Sequence, residues 1–155
     1  MKRLLPLLLL GMVFSAAGCG DSNRLSRDEY KAQLATLNHD VSKAEATAQS
    51  AVVQAATVEQ IRAALTRVAA VQQHVGDEVA KLKPPKEAEA ANALLARGAH
   101  DLAAETRDVV KKLASVRKPS EALGLIQKAF LDTRGARELD QAVSKLKSLG
   151  FSAGS

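Results

Sequence analysis

The sequence is poor in the residues that most chemistry needs. Of 155 residues, one is Cys, two are Met, one is Tyr and none is Trp. A lone Cys, Cys19, excludes an intrachain disulfide and any Cys-rich zinc site. The two methionines, Met1 and Met12, lie near the start, where they are no use as haem ligands further along the chain, and no Cys-x-x-Cys-His is present to attach a c-type haem. Nine glycines are scattered singly, so no phosphate-cradling loop can be assembled. No nucleophile-elbow pattern surrounds any Ser. No cofactor and no catalytic residue is therefore expected, and the chain reads as a non-enzyme.

What is present is an apolar majority arranged in helical stripes. Hydrophobic residues make up 46% and charged residues 25%, which suits one folded domain. The formal charge of +5 is too small for a nucleic-acid surface, so no nucleic-acid partner is expected.

The first residues form a targeting pattern. Lys2 and Arg3 precede an apolar run from Leu4 to Phe14, shorter than the ~20 residues a membrane span needs. Ala16-Ala17-Gly18-Cys19 follows. This resembles the lipobox of bacterial lipoproteins, with Ala16 where that family commonly carries a large aliphatic residue. The resemblance implies cleavage between Gly18 and Cys19 and a diacylglyceryl group on the Cys19 thiol. The protein would then be held on the extracytoplasmic face of the cell membrane, because two acyl chains anchor stably where one is marginal. Loss of Lys2 and Arg3 would take the formal charge from +5 to +3. The expected organisation is a signal peptide over 1–18, a lipidated tether over 19–25, a helical domain over 26–151 and a frayed tail over 152–155.

Four helices are predicted. Ser26-Arg27-Asp28-Glu29 and Thr57-Val58-Glu59-Gln60 both fit a capping box, in which the Ser or Thr and the Glu or Gln reciprocally satisfy free backbone N–H groups. After the first, Tyr30, Leu34, Leu37, Val41, Ala44 and Ala48 alternate spacings of four and three. After the second, Val58, Ile61, Leu65, Val68, Gln72 and Val75 do the same, with Gln72 as the one polar member of the stripe. It reads either as a register-setting polar residue or as a ligand contact inside the bundle. Lys83-Pro84-Pro85 ends the second helix and starts the third, where Leu95, Leu102 and Val109 recur every seven residues. Pro119 starts a fourth, whose pattern slips by one residue between Thr133 and Ala136, with Gly135 at the slip; an overwind or kink is expected there. Gly150 and Phe151 suit a Schellman ending. Short turns make sequential helices antiparallel neighbours, so the expected fold is all-α, an up-down-up-down four-helix bundle. The alternative is a long coiled-coil hairpin that dimerises, and the sequence leaves the oligomeric state open. The Lys83-Pro84-Pro85 turn and the Leu149-Gly150-Phe151 ending also look like those of Ala-rich helical lipoproteins of high-GC bacteria, a likeness that implies no activity.

The three histidines, His39, His74 and His100, fall away from the apolar stripes, and the Glu-x-x-His pattern of di-metal bundles is absent. They read as solvated surface residues, and no metal site is expected. Residues 105–130 carry six basic against three acidic side chains. Lys111, Lys112, Arg117 and Lys118 gather near the end of the third helix, the end far from Cys19. They form a candidate electrostatic contact for an acidic envelope polymer or protein, although basic residues at a helix C-terminus also simply complement its dipole. Two functions are expected from these features. The first is a lipid-anchored structural or protein-interaction module of the cell envelope. The second is a ligand- or metal-binding carrier or sensor, which an inward His or an internal pocket lined by Gln72 would favour.

Overall fold

A computed structural model describes residues 23–131 and 133–151. The expected signal peptide, Cys19, most of the expected tether and the expected tail over 152–155 lie outside the described residues.

Among the described residues the fold is all-helical, with five α-helices: α1 (Arg27–Val53), α2 (Val58–Lys81), α3 (Glu89–Lys112), α4 (Pro119–Ala129) and α5 (Arg134–Ser148). Both capping boxes form. Ser26 and Glu29 satisfy each other's backbone at the start of α1, and Thr57 and Gln60 do so at the start of α2. Short 3-10 turns at Lys86–Ala88 and Leu113–Ser115 flank α3, so Pro85 starts a 3-10 turn rather than the α-helix itself. Pro119 opens α4. Gly150 takes φ 78°, and the Phe151 N–H reaches the Leu146 carbonyl at 2.9 Å, closing the Schellman motif.

The expected fourth helix is two helices. The chain leaves helical geometry after Ala129, and Thr133 caps a new helix by accepting from the Ala136 N–H at 3.2 Å. Gly135 is not a kink inside a helix. It lies in the first turn of α5, pressed against α3, where a Cβ would collide with the Leu102 backbone nitrogen. Gly98 performs the same service one step along, with Leu139 N 2.9 Å from where its Cβ would be. Absence of two side chains lets α3 and α5 touch backbone to backbone. The Glu105 carboxylate accepts from the Arg134 and Gly135 N–H groups, so a side chain on α3 satisfies the free N-terminus of α5. Arg134 also pairs with Asp101 at 2.9 Å, and Arg97 with Glu138 at 3.3 Å.

The packing order is α1 on α2, α2 on α3 and α3 on α5. The start of α1, the α2–α3 turn and the end of α5 gather at one end, the base. Here Tyr30, Ala88, Ala91, Leu146 and Phe151 are buried together. The α1–α2 turn and α4 gather at the other end, the tip, around Ile61, Leu65, Val109, Leu113 and Ala122. No helix among the described residues is long and apolar enough to cross a membrane.

Candidate functional site: an apolar groove between α1 and α5

The base is sealed by a polar pin inside an apolar setting. Tyr30, with no exposed surface, donates its hydroxyl to Asn92 Oδ1 at 3.0 Å, and Asn92 Nδ2 donates to the Val79 carbonyl at 3.0 Å. Burial pushes the Tyr30 phenol up to about 12. Its ring meets Phe151 edge-on, centroids 5.4 Å apart. Arg27 covers the outer face of Phe151 at 4.3 Å, donates to the Leu149 carbonyl and pairs with Glu87 at 2.7 Å. The segment before α1 is docked as well: Leu25 N–H donates to the Lys83 carbonyl, and Arg24 reaches Pro84 O and Glu89.

Above this seal, between α1 and α5, lies a groove of about 670 Å³. One wall is α1, through Leu34, Leu37 and Val41. The other is α5, through Leu139, Val143 and Leu146. Val75 and Val79 of α2 and Leu95, Ala99 and Leu102 of α3 form the floor, and Phe151 contributes at the base.

These are the residues of the predicted stripes, and the structure corrects what the stripes do. They were expected to fill a core. On α1 only Tyr30 and Leu34 are buried. Leu95 and Leu102, the heptad leucines of α3, are half-buried, while the fully packed face of α3 is made of Ala91, Asn92, Ala96, Gly98, Ala103 and Thr106. Val143 is 55% exposed. The large side chains converge on a space instead of on one another, because small residues hold α2 to α3 and glycines hold α3 to α5.

Gln72 lies in the groove's floor, buried. Its Oε1 lies 3.0 Å from the Thr106 hydroxyl, whose single proton is shared with the Leu102 carbonyl at 2.8 Å. It serves the α2–α3 register and also brings a buried amide to a mostly apolar surface, to which Asn38 of α1 adds a second, exposed amide. The charged groove residues stand at opposite ends: Lys147 in the last turn of α5, at the base, and Glu45, five turns up α1 from Arg27. Neither is paired with a described residue.

The other predicted positions fall elsewhere. Lys111, Lys112, Arg117 and Lys118 are exposed at the tip, beyond the groove. Lys111 pairs with Asp108 at 2.9 Å and Lys118 approaches Glu121 at 3.8 Å. Cys19 lies outside the described residues. His39 and His74 are exposed. His100 is not on an outward face: it is half-buried against α2, lying over Gly76 and contacting Asp77 at 2.9 Å. The Asp77 carboxyl is held below its ordinary range, chiefly by the Gln73 amide and then by His100. No cluster of three His, Cys, Asp or Glu side chains suited to a metal occurs among the described residues. Asn92 and Thr106 carry no sequence signal. They lie off the leucine stripe of α3 and are recognised only through Tyr30 and Gln72.

No protein-family model, curated protein or solved structure matches the chain.

Proposed function

We propose that the protein is a lipid-anchored, extracytoplasmic binding protein whose α1–α5 groove holds a small apolar ligand, and that its role is non-catalytic. One observation carries this reading. The leucine and valine stripes of α1, α2, α3 and α5 line a common space of about 670 Å³ with a single buried amide, Gln72, in its floor. That volume and lining suit a small-molecule site, which is typically ~300–1,000 Å³, mostly apolar, with few polar groups. The anchor is the expectation carried by Ala16-Ala17-Gly18-Cys19. The four-helix-bundle description fits best as a three-helix layer of α1, α2 and α3, with α5 completing it at the base and α4 capping the tip.

The neutral fluorophore N-phenylnaphthylamine tests the groove. Titration of the purified protein should give a saturable emission increase with one site per chain, abolished by Val143→Glu, which puts a charge into the groove from an exposed position. Emission that is absent, or indifferent to Val143→Glu, overturns the reading. The anchor is tested by fractionation and intact mass: Cys19→Ala should leave the membrane fraction, and a native chain without acyl mass overturns that part. The interaction-module reading keeps one specific support, the exposed cations Lys111, Lys112, Arg117 and Lys118 at the tip.

A further inference from the structure

We infer that the groove takes a single-chain amphiphile with an anionic head, drawn from the membrane, with the head at Lys147 and the tail running towards the tip. This rests on the groove being a ligand site. The argument is the placement of charge along an apolar channel. Its walls are mostly Leu and Val, which suit an alkyl chain, and the two lining amides, Gln72 and Asn38, are too few to satisfy the polar groups of a sugar or a peptide backbone. Lys147 is the one cation among the lining residues and Glu45 the one acid. Both are exposed, and neither is paired with a described residue. An anionic head is attracted at the base and repelled at the far end, so the two charges set a direction as well as a sign.

The groove's dimensions agree. From Leu34 to Glu45 the α1 wall rises about 16 Å, room for one extended chain along the helices. The base is also the end nearest the proposed anchor. Arg24 and Leu25 are docked on the α2–α3 turn, and four residue steps of chain, the number between Cys19 and Asn23, can reach at most about 14 Å. Lys147 would therefore stand on the side of the headgroup layer. The competing account of Lys147 is dipole compensation at the end of α5, which Lys145 in the same turn also provides. That account predicts a small stability effect and no effect on binding.

Calorimetric titration with dodecanoate, dodecyltrimethylammonium and dodecyl maltoside, each below its micelle concentration, separates these possibilities. Dodecanoate should bind one per chain and more tightly than the other two. Lys147→Glu should weaken dodecanoate about tenfold and strengthen the cationic amphiphile, consistent with reversing one partly exposed charge. Glu45→Lys should not weaken dodecanoate. Thermal unfolding of both variants should match the parent, showing that the fold is intact. Equal binding of all three heads with a silent Lys147→Glu overturns the inference and leaves an apolar groove indifferent to charge. Failure of all three to bind overturns the groove reading with it.

Discussion

α1 and α3 are similar in length, 27 and 24 residues, and both are rich in alanine, yet the protein uses them in opposite ways. α3 is packed on two sides, by α2 and α5, and buries eight residues. α1 has one neighbouring helix along its length and buries two residues, both within its first two turns. Alanine is therefore no guide to burial. On α3 it permits close approach to neighbours on both sides. On α1, Ala44, Ala48 and Ala51 lie against one neighbour and remove little apolar surface from water, a methyl group at a time. One helix is the frame of the groove and the other is a wall pinned at its foot.

The contrast can be broken most severely at the frame. Gly135→Ala should cost about 3 kcal/mol or more, because the new Cβ meets backbone that cannot swing aside. Gly124→Ala on α4, with nothing within 4 Å, should instead be neutral or gain up to about 1 kcal/mol. Urea unfolding of the pair measures both, and equal effects would deny the α3–α5 backbone contact.

At the foot of the wall, Tyr30→Phe leaves Asn92 Oδ1 without its donor and should cost about 1–3 kcal/mol at neutral pH. The raised phenol also predicts an alkaline limb. The folded state holds the Tyr30 proton more tightly than the unfolded chain, so this contribution is complete below pH ~10 and is lost as pH rises through about 12. The limb is worth about 2–3 kcal/mol and should vanish in Tyr30→Phe. Stability measured from pH 8 to 12 decides it.

Higher on the wall the effects shrink. Ala48→Gly should cost about 1 kcal/mol of helix propensity, expressed as local opening more than as global unfolding. Hydrogen exchange should find the amides of residues 39–53 opening well before those of α3, and equal protection would show α1 to be as firmly held as its neighbour. The smallest effect belongs to the tip, where changing Lys111, Lys112 and Lys118 together to Glu should cost less than about 1 kcal/mol per site.

Local features were legible in the sequence because the groups that make them sit within a few residues of each other. Ser26 with Glu29, Thr57 with Gln60, Pro119, and Gly150 with Phe151 all form the ends the pattern predicts. The slip between Thr133 and Ala136 marked the right place but was too mild an expectation. Thr133 is a cap, and what makes a full break possible is Glu105, some thirty positions earlier, receiving the new helix. The groove was the hardest to read. Leu95, Leu102 and Val143 have the spacing of core residues, and nothing local distinguishes a stripe that meets another stripe from one that faces a void. The void follows from Gly98 and Gly135, which set the line of α5, and from Tyr30 and Phe151, which close α1 onto it at one point only.

That single point has a consequence for the order of events in folding. Arg27 and Leu149, joined over the base, are 122 residues apart in the chain. Closing so long a loop in the open chain would cost about 4 kcal/mol of entropy, so the contact waits until the packing of α1 on α2, α2 on α3 and α3 on α5 has shortened it. By contrast, α2 and α3 meet across a turn of a few residues. The α2–α3 hairpin is thus the natural nucleus, α5 docks onto it through Glu105, and the foot of α1 is clasped last. Substitutions in the clasp should then speed unfolding while leaving the folding rate almost unchanged. The groove is complete only after that step, so the barrier that guards the fold also sets the lifetime of the groove.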